Sequence, residues 1–397
     1  MSTNYEGVVI ADIHIGAVDT THLKYELDEV FIHYIETLAK LDFIIIAGDY
    51  FDHRLTLGED ASSFAISLMD KIVKIAKKHH KPEMGKYCPI RIVYGTESHE
   101  VNQYTIFSIY ENRTDIDFKV IHSVSDEELL PDMKVLYIPE EYILSKEDTY
   151  RKYLYSDKEY DYIFGHGIIT DIMIALSPAK FDGTRKRVPT FSSEELENVC
   201  RGEVYFGHYH VNSEVDESVY YCGSYTRWCF NEETPKGFYH ITCNPKKLYF
   251  RHEFIENELA PKYMTISFNA DEKLFSSTDD LIDEMNRRDK TMKDLGIEHT
   301  RYVFNLPDGY ENDTAFKKVL SERYRDNSSV KIKIDNDTSD VKYKADKEVL
   351  NEMKNKYGFI FDPNLSTEDK VSNFLNTEYH KEMSPEKVKH YLTISSD

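Results

Sequence analysis

The chain has 397 residues, of which 41% are hydrophobic and 30% are charged. This length suits two or three domains with real apolar cores, which excludes a disordered or fibrous protein. No run approaches the ~20 apolar residues of a membrane-spanning helix, and the amino terminus lacks signal-peptide features, so we expect a cytoplasmic protein with no membrane partner. A charge of −22, from 71 acidic and 49 basic residues, opposes nonspecific binding to polyanions.

Short β-branched runs alternate with helical stretches up to about residue 260, a pattern typical of a layered α/β domain. The helical spacing of apolar residues predicts one long helix over Asp60–Lys78. The apolar runs that predict buried strands are Gly7–Ala11, Phe43–Ala47, Ile90–Tyr94, Val135–Ile138, Tyr162–Phe164 and Val204–Phe206.

A domain boundary is predicted at Glu258–Pro261, and a small α/β module follows it. Its predicted elements are a strand at Tyr263–Phe268, a helix at Thr278–Asn286, a strand at Tyr302–Asn305, a helix at Thr314–Tyr324 and a strand at Val330–Ile334. After a charged linker, helix-start signals at Ser366 and Ser384 predict two short amphipathic helices.

Metal-competent side chains follow five of the six strands predicted before residue 260. They are Asp12 and His14, Asp49 and Asp52, His99, His166, and His208 and His210. Ligands of open α/β sheets bind beyond the carboxyl ends of the strands, where side chains that are distant in sequence can converge. One glycine-aspartate turn or one loop histidine is usually structural, but agreement at five strand ends predicts a shared metal site.

The residue types fit a pair of divalent cations. Two ions ~3.5–4 Å apart can clamp a phosphoryl group for in-line attack by water, provided that one carboxylate bridges them. Asp49 is the candidate bridge. The other candidate ligands are Asp12, His14 and His210 for one ion, and His166 and His208 for the second. Mixed nitrogen and oxygen ligands suit manganese, iron or zinc.

Two further residues are candidates for catalysis. His99 is expected next to the second ion, where its imidazole could contact a phosphate and protonate the leaving oxygen. Asp52 could contact the substrate, or it could orient a ligand histidine or cap a helix. The orienting role of Asp52 is favoured.

These motifs resemble those of the calcineurin-like metallophosphoesterases. In chain order they are Asp12-x-His14, Gly48-Asp49-x-x-Asp52, Gly95…Ser98-His99-Glu100, Gly165-His166 and Gly207-His208-x-His210. Within that superfamily the chain is similar to the Mre11/SbcD DNA-repair nucleases, specifically to their bacteriophage recombination relatives. Cys222-Gly223-Ser224 resembles the Gly-Ser turn that these nucleases carry after their last histidines. The resemblance implies a four-layer α-β-β-α sandwich and a DNA exonuclease or endonuclease that binds two Mn²⁺ ions, with Mg²⁺ or another divalent cation as alternatives.

The resemblance also implies how the whole chain is organised. Residues 1–260 would form the nuclease domain, 261–336 a capping domain that contacts DNA, and 337–397 a linker with a helical tail. The tail would bind an ABC-type ATPase similar to Rad50/SbcC, although its helices could instead fold back on their own chain. Helices over Asp60–Lys78 and Asn102–Asn112 would pair two copies within a heterotetramer, but their apolar residues suit a domain core equally well. A phage-encoded protein would act in the host cytoplasm.

The third motif departs from the family pattern, Gly-Asn-His-Asp/Glu, in which the asparagine oxygen is a ligand of the second ion. Here Ser98 precedes His99, and a hydroxyl is a poorer ligand than an amide carbonyl. Ser98 could act through a water, Glu97 could replace the asparagine, or the second ion could bind only with substrate. The segment from Gly48 to Arg54 also resembles that of Ser/Thr protein phosphatases. A phosphomonoesterase and a catalytically silent scaffold therefore remain alternatives.

Overall fold

The computed structural model describes residues 4–56, 58–79, 88–100, 102–170, 187–230, 232–268, 278–306, 322–323 and 330–336. The helices are α1 (Thr20–Glu26), α2 (His33–Thr37), α3 (Asp60–Lys78), α4 (Glu97–Glu100), α5 (Ser108–Glu111), α6 (Lys146–Leu154), α7 (Ser193–Glu197) and α8 (Thr278–Asp294). The first strands are β1 (Tyr5–Ile10), β2 (Phe43–Ala47), β3 (Ile90–Val93), β4 (Phe118–Ile121), β5 (Ser125–Leu130), β6 (Met133–Ile138), β7 (Tyr160–His166), β8 (Ile168–Ile169) and β9 (Thr190–Phe191). The later strands are β10 (Cys200–Gly207), β11 (Ser213–Asp216), β12 (Val219–Tyr221), β13 (Gly237–Asn244), β14 (Tyr249–Glu256), β15 (Tyr263–Phe268), β16 (His299–Leu306) and β17 (Val330–Asn336).

Two six-stranded mixed sheets dominate the described part of the chain. The first has the strand order β14-β13-β1-β2-β3-β4, and the second has the order β11-β12-β10-β7-β6-β5. In the first sheet β1, β2, β3 and β4 are parallel, and β13 pairs antiparallel with both of its neighbours. In the second sheet β6, β7, β10 and β12 are parallel, with β5 and β11 antiparallel at the edges. The predicted α/β class is confirmed.

Alternate residues of the strands are buried in different apolar clusters. Val8 of β1 belongs to a cluster that also contains Leu68 of α3, whereas the next residue, Val9, belongs to a cluster shared with Tyr162 of the second sheet. A third cluster joins Ile163 and its neighbours to apolar side chains of α6 and α7. Because successive side chains of a strand point to opposite faces, strands buried on both faces are continuous apolar runs. This burial explains why these runs could be predicted.

The two segments expected to pair two copies of the chain contribute to its own core. The helix predicted over Asp60–Lys78 is α3, whereas the segment Asn102–Asn112 contains a 3₁₀ turn over Gln103–Phe107 followed by α5. Both segments bury apolar side chains in the first cluster, namely Phe64, Leu68, Ile72, Ile75, Phe107 and Tyr110. The core thus accounts for most of these apolar residues, although Ile109 is exposed, and the homodimer stays a prediction.

The described residues fall into two compact units. The first contains the described residues up to Ile266, with 281–302 and 330–331, and the second contains the rest. Strands β15, β16 and β17 form a three-stranded sheet, and α8 continues beyond its predicted end at Asn286. The helix predicted over Thr314–Tyr324 and the tail helices lie outside the described residues, except that 322–323 are helical. The domain boundaries at 260 and 336 stay predictions.

Within the described part of the chain, no helix combines the length and the apolar character that crossing a bilayer requires.

Candidate metal centre

The carboxyl ends of parallel strands bring the predicted site residues together, all of them in the first unit. Asp12 and Asp49 each lie two residues beyond the end of a strand of the first sheet, β1 and β2, and His99 lies beyond β3. His166 ends β7 of the second sheet, and His208 and His210 follow β10. All of the predicted ligands belong to groups whose ligand atoms lie within 4.8 Å of one another.

The first group consists of Asp12, His14 and His210. His14 is buried, and its Nε2 makes no hydrogen bond with the described residues. Its Nε2 lies 3.9 Å from Asp12 Oδ1 and 3.6 Å from Asp49 Oδ2. A buried ring nitrogen without a hydrogen bond is costly, and a cation between His14 Nε2 and the carboxylates would satisfy the nitrogen and the carboxylates together. The donor set therefore fits a divalent metal ion.

The second group consists of Glu140, His166 and His208. His166 Nδ1 lies 2.9 Å from the carbonyl oxygen of Ala47, so that its Nε2 faces Asp49 Oδ2 at 3.3 Å. A hydrogen bond from one ring nitrogen to a backbone carbonyl is the usual way to orient a metal-ligating histidine. Burial alone would lower the pKa of His166, but the Asp49 carboxylate raises it, to about 10.

Asp49 connects the two groups through one oxygen. Its Oδ2 lies 3.1 Å from His99 Nδ1, 3.3 Å from His166 Nε2 and 3.6 Å from His14 Nε2. Its other oxygen, Oδ1, accepts a hydrogen bond of 2.6 Å from the backbone N–H of Thr96. Burial would raise the pKa of the Asp49 carboxyl, but the surrounding imidazoles hold it well below its usual range. The predicted bridging position is the one that this geometry offers.

Four of the predicted ligands have a backbone conformation that L-amino acids rarely adopt. Seven non-glycine residues of the described chain have positive φ, and four of them are Asp12 (48°), His14 (49°), Asp49 (46°) and His208 (96°). Such conformations cost about 1–3 kcal/mol each and cluster at functional sites, where the surrounding structure imposes them. Their concentration at these turns supports a functional role for the site.

Two glycines allow the strand ends to approach closely. A Cβ on Gly48, whose φ is +86°, would lie 2.1 Å from His166 Nδ1. A Cβ on Gly95 would lie 2.3 Å from the backbone nitrogen of Asp49. A side chain at either position would displace Asp49 or His166. This steric restriction explains why both positions are glycine.

The two catalytic candidates lie beside Asp49 and the first group. His99, in α4, is 32% exposed, and its ring packs edge-on against His14 with centroids 4.8 Å apart. The sequence pattern places His99 beside the second ion, whereas the contacts described here are with Asp49 and His14. Asp52 Oδ1 lies 3.3 Å from His14 Nδ1, which lowers the pKa of Asp52 to about 2. This contact is that of a carboxylate that orients a ligand histidine.

Residues that the sequence did not reveal surround His210. Its Nδ1 lies 2.7 Å from Oε1 of the buried Glu232, and Trp228, the only tryptophan of the chain, packs edge-on with centroids 4.6 Å apart. Trp228 also packs against His14, at 4.7 Å. Lys236 donates to the carbonyl oxygen of His210, and burial lowers the pKa of its amino group to about 8. Nothing in the sequence pattern marks this loop.

Glu140 is the missed residue with a clear signal. It lies two residues beyond Ile138, the end of the predicted strand β6, as Asp12 lies beyond Ile10 and Asp49 beyond Ala47. The two residues proposed from the third motif to replace asparagine, Ser98 and Glu97, are both exposed. A search for metal-competent side chains two residues beyond each predicted strand would have found Glu140.

No protein-family model matches this chain, and a search of curated proteins finds no match either. The family resemblance depends on the motifs alone and stays a prediction.

Proposed function

We propose that the protein is a two-metal phosphodiesterase that cleaves DNA, the nuclease subunit of a recombination or repair complex similar to Mre11–Rad50/SbcCD. The observation that carries the phosphodiesterase proposal is the pair of ligand groups that share Asp49 Oδ2. Two divalent ions bound there would polarise a phosphoryl group and activate water. The choice of DNA as the substrate rests on the motif resemblance.

The roles follow from the contacts described above. Asp49 would bridge the ions, and the remaining predicted ligands would divide between them as Asp12, His14 and His210 for the first and His166 and His208 for the second. Mixed imidazole and carboxylate ligands suit manganese, iron or zinc, while Mg²⁺ prefers oxygen ligands and keeps more of its water. By the motif resemblance we propose Mn²⁺ as the cofactor, with Mg²⁺ or another divalent cation as the alternative.

The partly exposed imidazole of His99 is the proposed proton donor. It contacts the bridging Asp49 carboxylate, which favours the protonated form and raises the pKa of His99. A protonated imidazole beside a bound phosphate could donate its proton to the leaving oxygen, which is the general-acid role. Asp52 would hold His14 in place rather than contact the substrate.

The finer fold and the partners belong to the same proposal. Apolar clusters between the two sheets and between each sheet and its helices support a four-layer α-β-β-α sandwich. By resemblance, a capping domain would contact DNA, the carboxyl-terminal helices would bind a Rad50/SbcC-like ATPase, and the chain would form a homodimer. Because the net charge is −22, the bound cations rather than the overall field would attract the DNA backbone.

The test is a cleavage assay with the purified full chain, Mn²⁺ and end-labelled duplex or single-stranded DNA. We expect metal-dependent cleavage that is lost in Asp49→Asn and kept in Asp157→Asn, an equivalent change at an exposed residue. The inactive variant also controls for contaminating nucleases. Hydrolysis of an aryl phosphate without DNA cleavage would replace the proposal with a phosphomonoesterase. Absence of both activities would replace it with a silent scaffold.

A further inference from the structure

Three polar atoms of the second group face one another and two further atoms, Asp49 Oδ2 and Thr96 Oγ1. His208 Nδ1 lies 3.0 Å from Glu140 Oε2, and His166 Nε2 lies 3.3 Å from Asp49 Oδ2 and 4.0 Å from Glu140 Oε2. Thr96 Oγ1 lies 3.4 Å from both ring nitrogens and 3.2 Å from Glu140 Oε2. The five atoms therefore surround one small space.

These separations match those of ligands on a common ion. Ligand atoms ~2.1 Å from a metal are ~3.0 Å apart at neighbouring octahedral positions and ~3.4 Å apart in a tetrahedron. The six distances given above run from 3.0 to 4.0 Å. The cage thus needs only small adjustments to bind a divalent cation.

We propose that Glu140 is a direct ligand of the second ion, at the place where the resembling nucleases use asparagine, and that Thr96 positions it. The inference deepens the proposed function and rests on it for the presence of a second ion.

A purely structural role for Glu140 is less consistent with the geometry. A carboxylate that only orients a ligand histidine contacts the ring nitrogen that faces away from the ion. Glu140 instead contacts His208 Nδ1, the nitrogen that faces Thr96 Oγ1 and the rest of the cage. Its carboxylate is also buried, and a metal ion in the cage would compensate the charge of the carboxylate without protonation of the neighbouring imidazoles.

Backbone contacts fix Glu140 at this place. Its N–H donates to the carbonyl oxygen of Tyr94, which connects the end of β6 to the end of β3 across the two sheets. The Thr96 hydroxyl donates to Glu140 Oε2, and the Thr96 N–H donates to Asp49 Oδ1. One threonine thereby holds both carboxylates that would bind the second ion.

A glutamate in place of the asparagine of the family pattern changes the charge of the second site. An asparagine amide is neutral, whereas Glu140 adds a second carboxylate to that of Asp49. Hard divalent cations bind carboxylate oxygens well, so the absence of the amide does not leave this ion weakly held. The second site is therefore expected to fill with Mn²⁺ alone, in the absence of substrate.

The experiment measures Mn²⁺ binding without DNA. Calorimetry of the full chain gives the stoichiometry, electron paramagnetic resonance detects the coupled signal of two adjacent Mn²⁺ ions, and fluorescence of Trp228 reports on the first site. We expect wild type to bind two ions. Glu140→Ala should lose the coupled signal and bind the second ion more than about 100-fold more weakly, since losing a ligand exceeds the 10–100-fold cost of losing its support.

Four further variants sharpen the test. Glu140→Gln, which keeps an amide oxygen, should bind the second ion with an affinity between those of wild type and the alanine variant. Thr96→Val should weaken binding of the second ion about 10-fold. The exposed neighbours Glu97→Gln and Ser98→Ala should bind both ions as wild type does. Circular dichroism checks that each variant is folded, and Trp228 quenching at unchanged Mn²⁺ concentration checks that the first site is intact.

Three results would overturn the inference. These are a wild type that binds a single ion, a Glu140→Ala variant with two ions at wild-type affinity, and a crystal structure with Mn²⁺ in which the Glu140 carboxylate does not contact the second ion. Failure of the proposed function has a separate signature, because a protein that binds the coupled pair but leaves DNA intact refutes only the nuclease. Conversely, DNA cleavage by a Glu140→Ala variant with both ions bound refutes only the role of this glutamate.

Discussion

Replacing Glu232 by glutamine should weaken metal binding at the first site. Its carboxylate lies 2.7 Å from His210 Nδ1, so the proton of the ring stays on that nitrogen and Nε2 is left to bind the ion. Glu232→Gln keeps the size of the side chain and one acceptor oxygen. The variant therefore removes the charge behind the histidine with little change in packing.

The size of the effect follows from the surroundings of the carboxylate. Loss of a carboxylate behind a metal-ligating histidine typically costs 10–100-fold in metal affinity. Burial of Glu232 favours a large effect, but the amino group of Lys236 lies 3.7 Å from its second oxygen and already offsets part of its charge. We therefore expect a loss toward the lower end, about 10- to 30-fold.

The assay is an Mn²⁺ titration followed by the fluorescence of Trp228, whose ring is 4.6 Å from that of His210. A paramagnetic ion at the first site should quench this tryptophan, and the chain has no other. Glu217→Gln, the same change at an exposed residue, should titrate as wild type. An affinity of Glu232→Gln within twofold of the control would refute the assigned role, as would a loss confined to the second ion.

Three more outcomes are expected. His99→Gln should slow DNA cleavage by about 10²–10⁴-fold with both Mn²⁺ ions retained, and loss of metal by mass spectrometry would instead make the residue a ligand. Gly48→Ala should lower the free energy of unfolding in urea more than Gly58→Ala does. Both glycines have positive φ, but of the two only Gly48 has other atoms within 4 Å of the position of the new Cβ. Equal effects of the two substitutions would contradict the steric argument. Burial alone would raise the pKa of Glu127, but Arg91 holds it at about 2, below the ordinary 4.5, so this pair stabilises the fold above pH 4.5 and loses that contribution as the pH falls toward 2. Arg91→Met should accordingly cost about 3 kcal/mol in urea denaturation at pH 7 and less at pH 4, and a cost independent of pH would be inconsistent with the pair.

The strands that the sequence predicted before residue 260 are buried on both faces and therefore form continuous apolar runs. The run Phe43–Ala47 is apolar throughout and forms a strand with the predicted bounds, because both of its faces are covered. Strand β14 was missed since its central residues Arg251, His252 and Glu253 are exposed, and pairing with β13 rather than an apolar run makes it a strand. Helix α8 continues beyond Asn286 through a polar stretch in which few apolar residues mark its end.

The same distinction applies to the candidate site. Asp12, Asp49 and Glu140 share one offset from the ends of parallel strands, so this part of the site can be predicted from the sequence wherever the strand itself can. Glu232 and Trp228 lie in a loop that follows no predicted strand, and only the tertiary structure brings them to His210. Contacts of that kind leave no periodic signal.

The third motif can be aligned with the proposed family pattern in two ways, which place the asparagine position at different residues. Counted backward from His99, the asparagine position is Ser98; counted forward from Gly95, it is Thr96. The structure favours the forward count, because the close approach of Gly95 to the Asp49 backbone places the following residue at the second group. The two extra residues, Glu97 and Ser98, belong to α4 and are exposed. On the proposed resemblance, these two residues would form a helical turn between the glycine and the histidine of the motif. Thr96 together with Glu140 would then take the place of the asparagine.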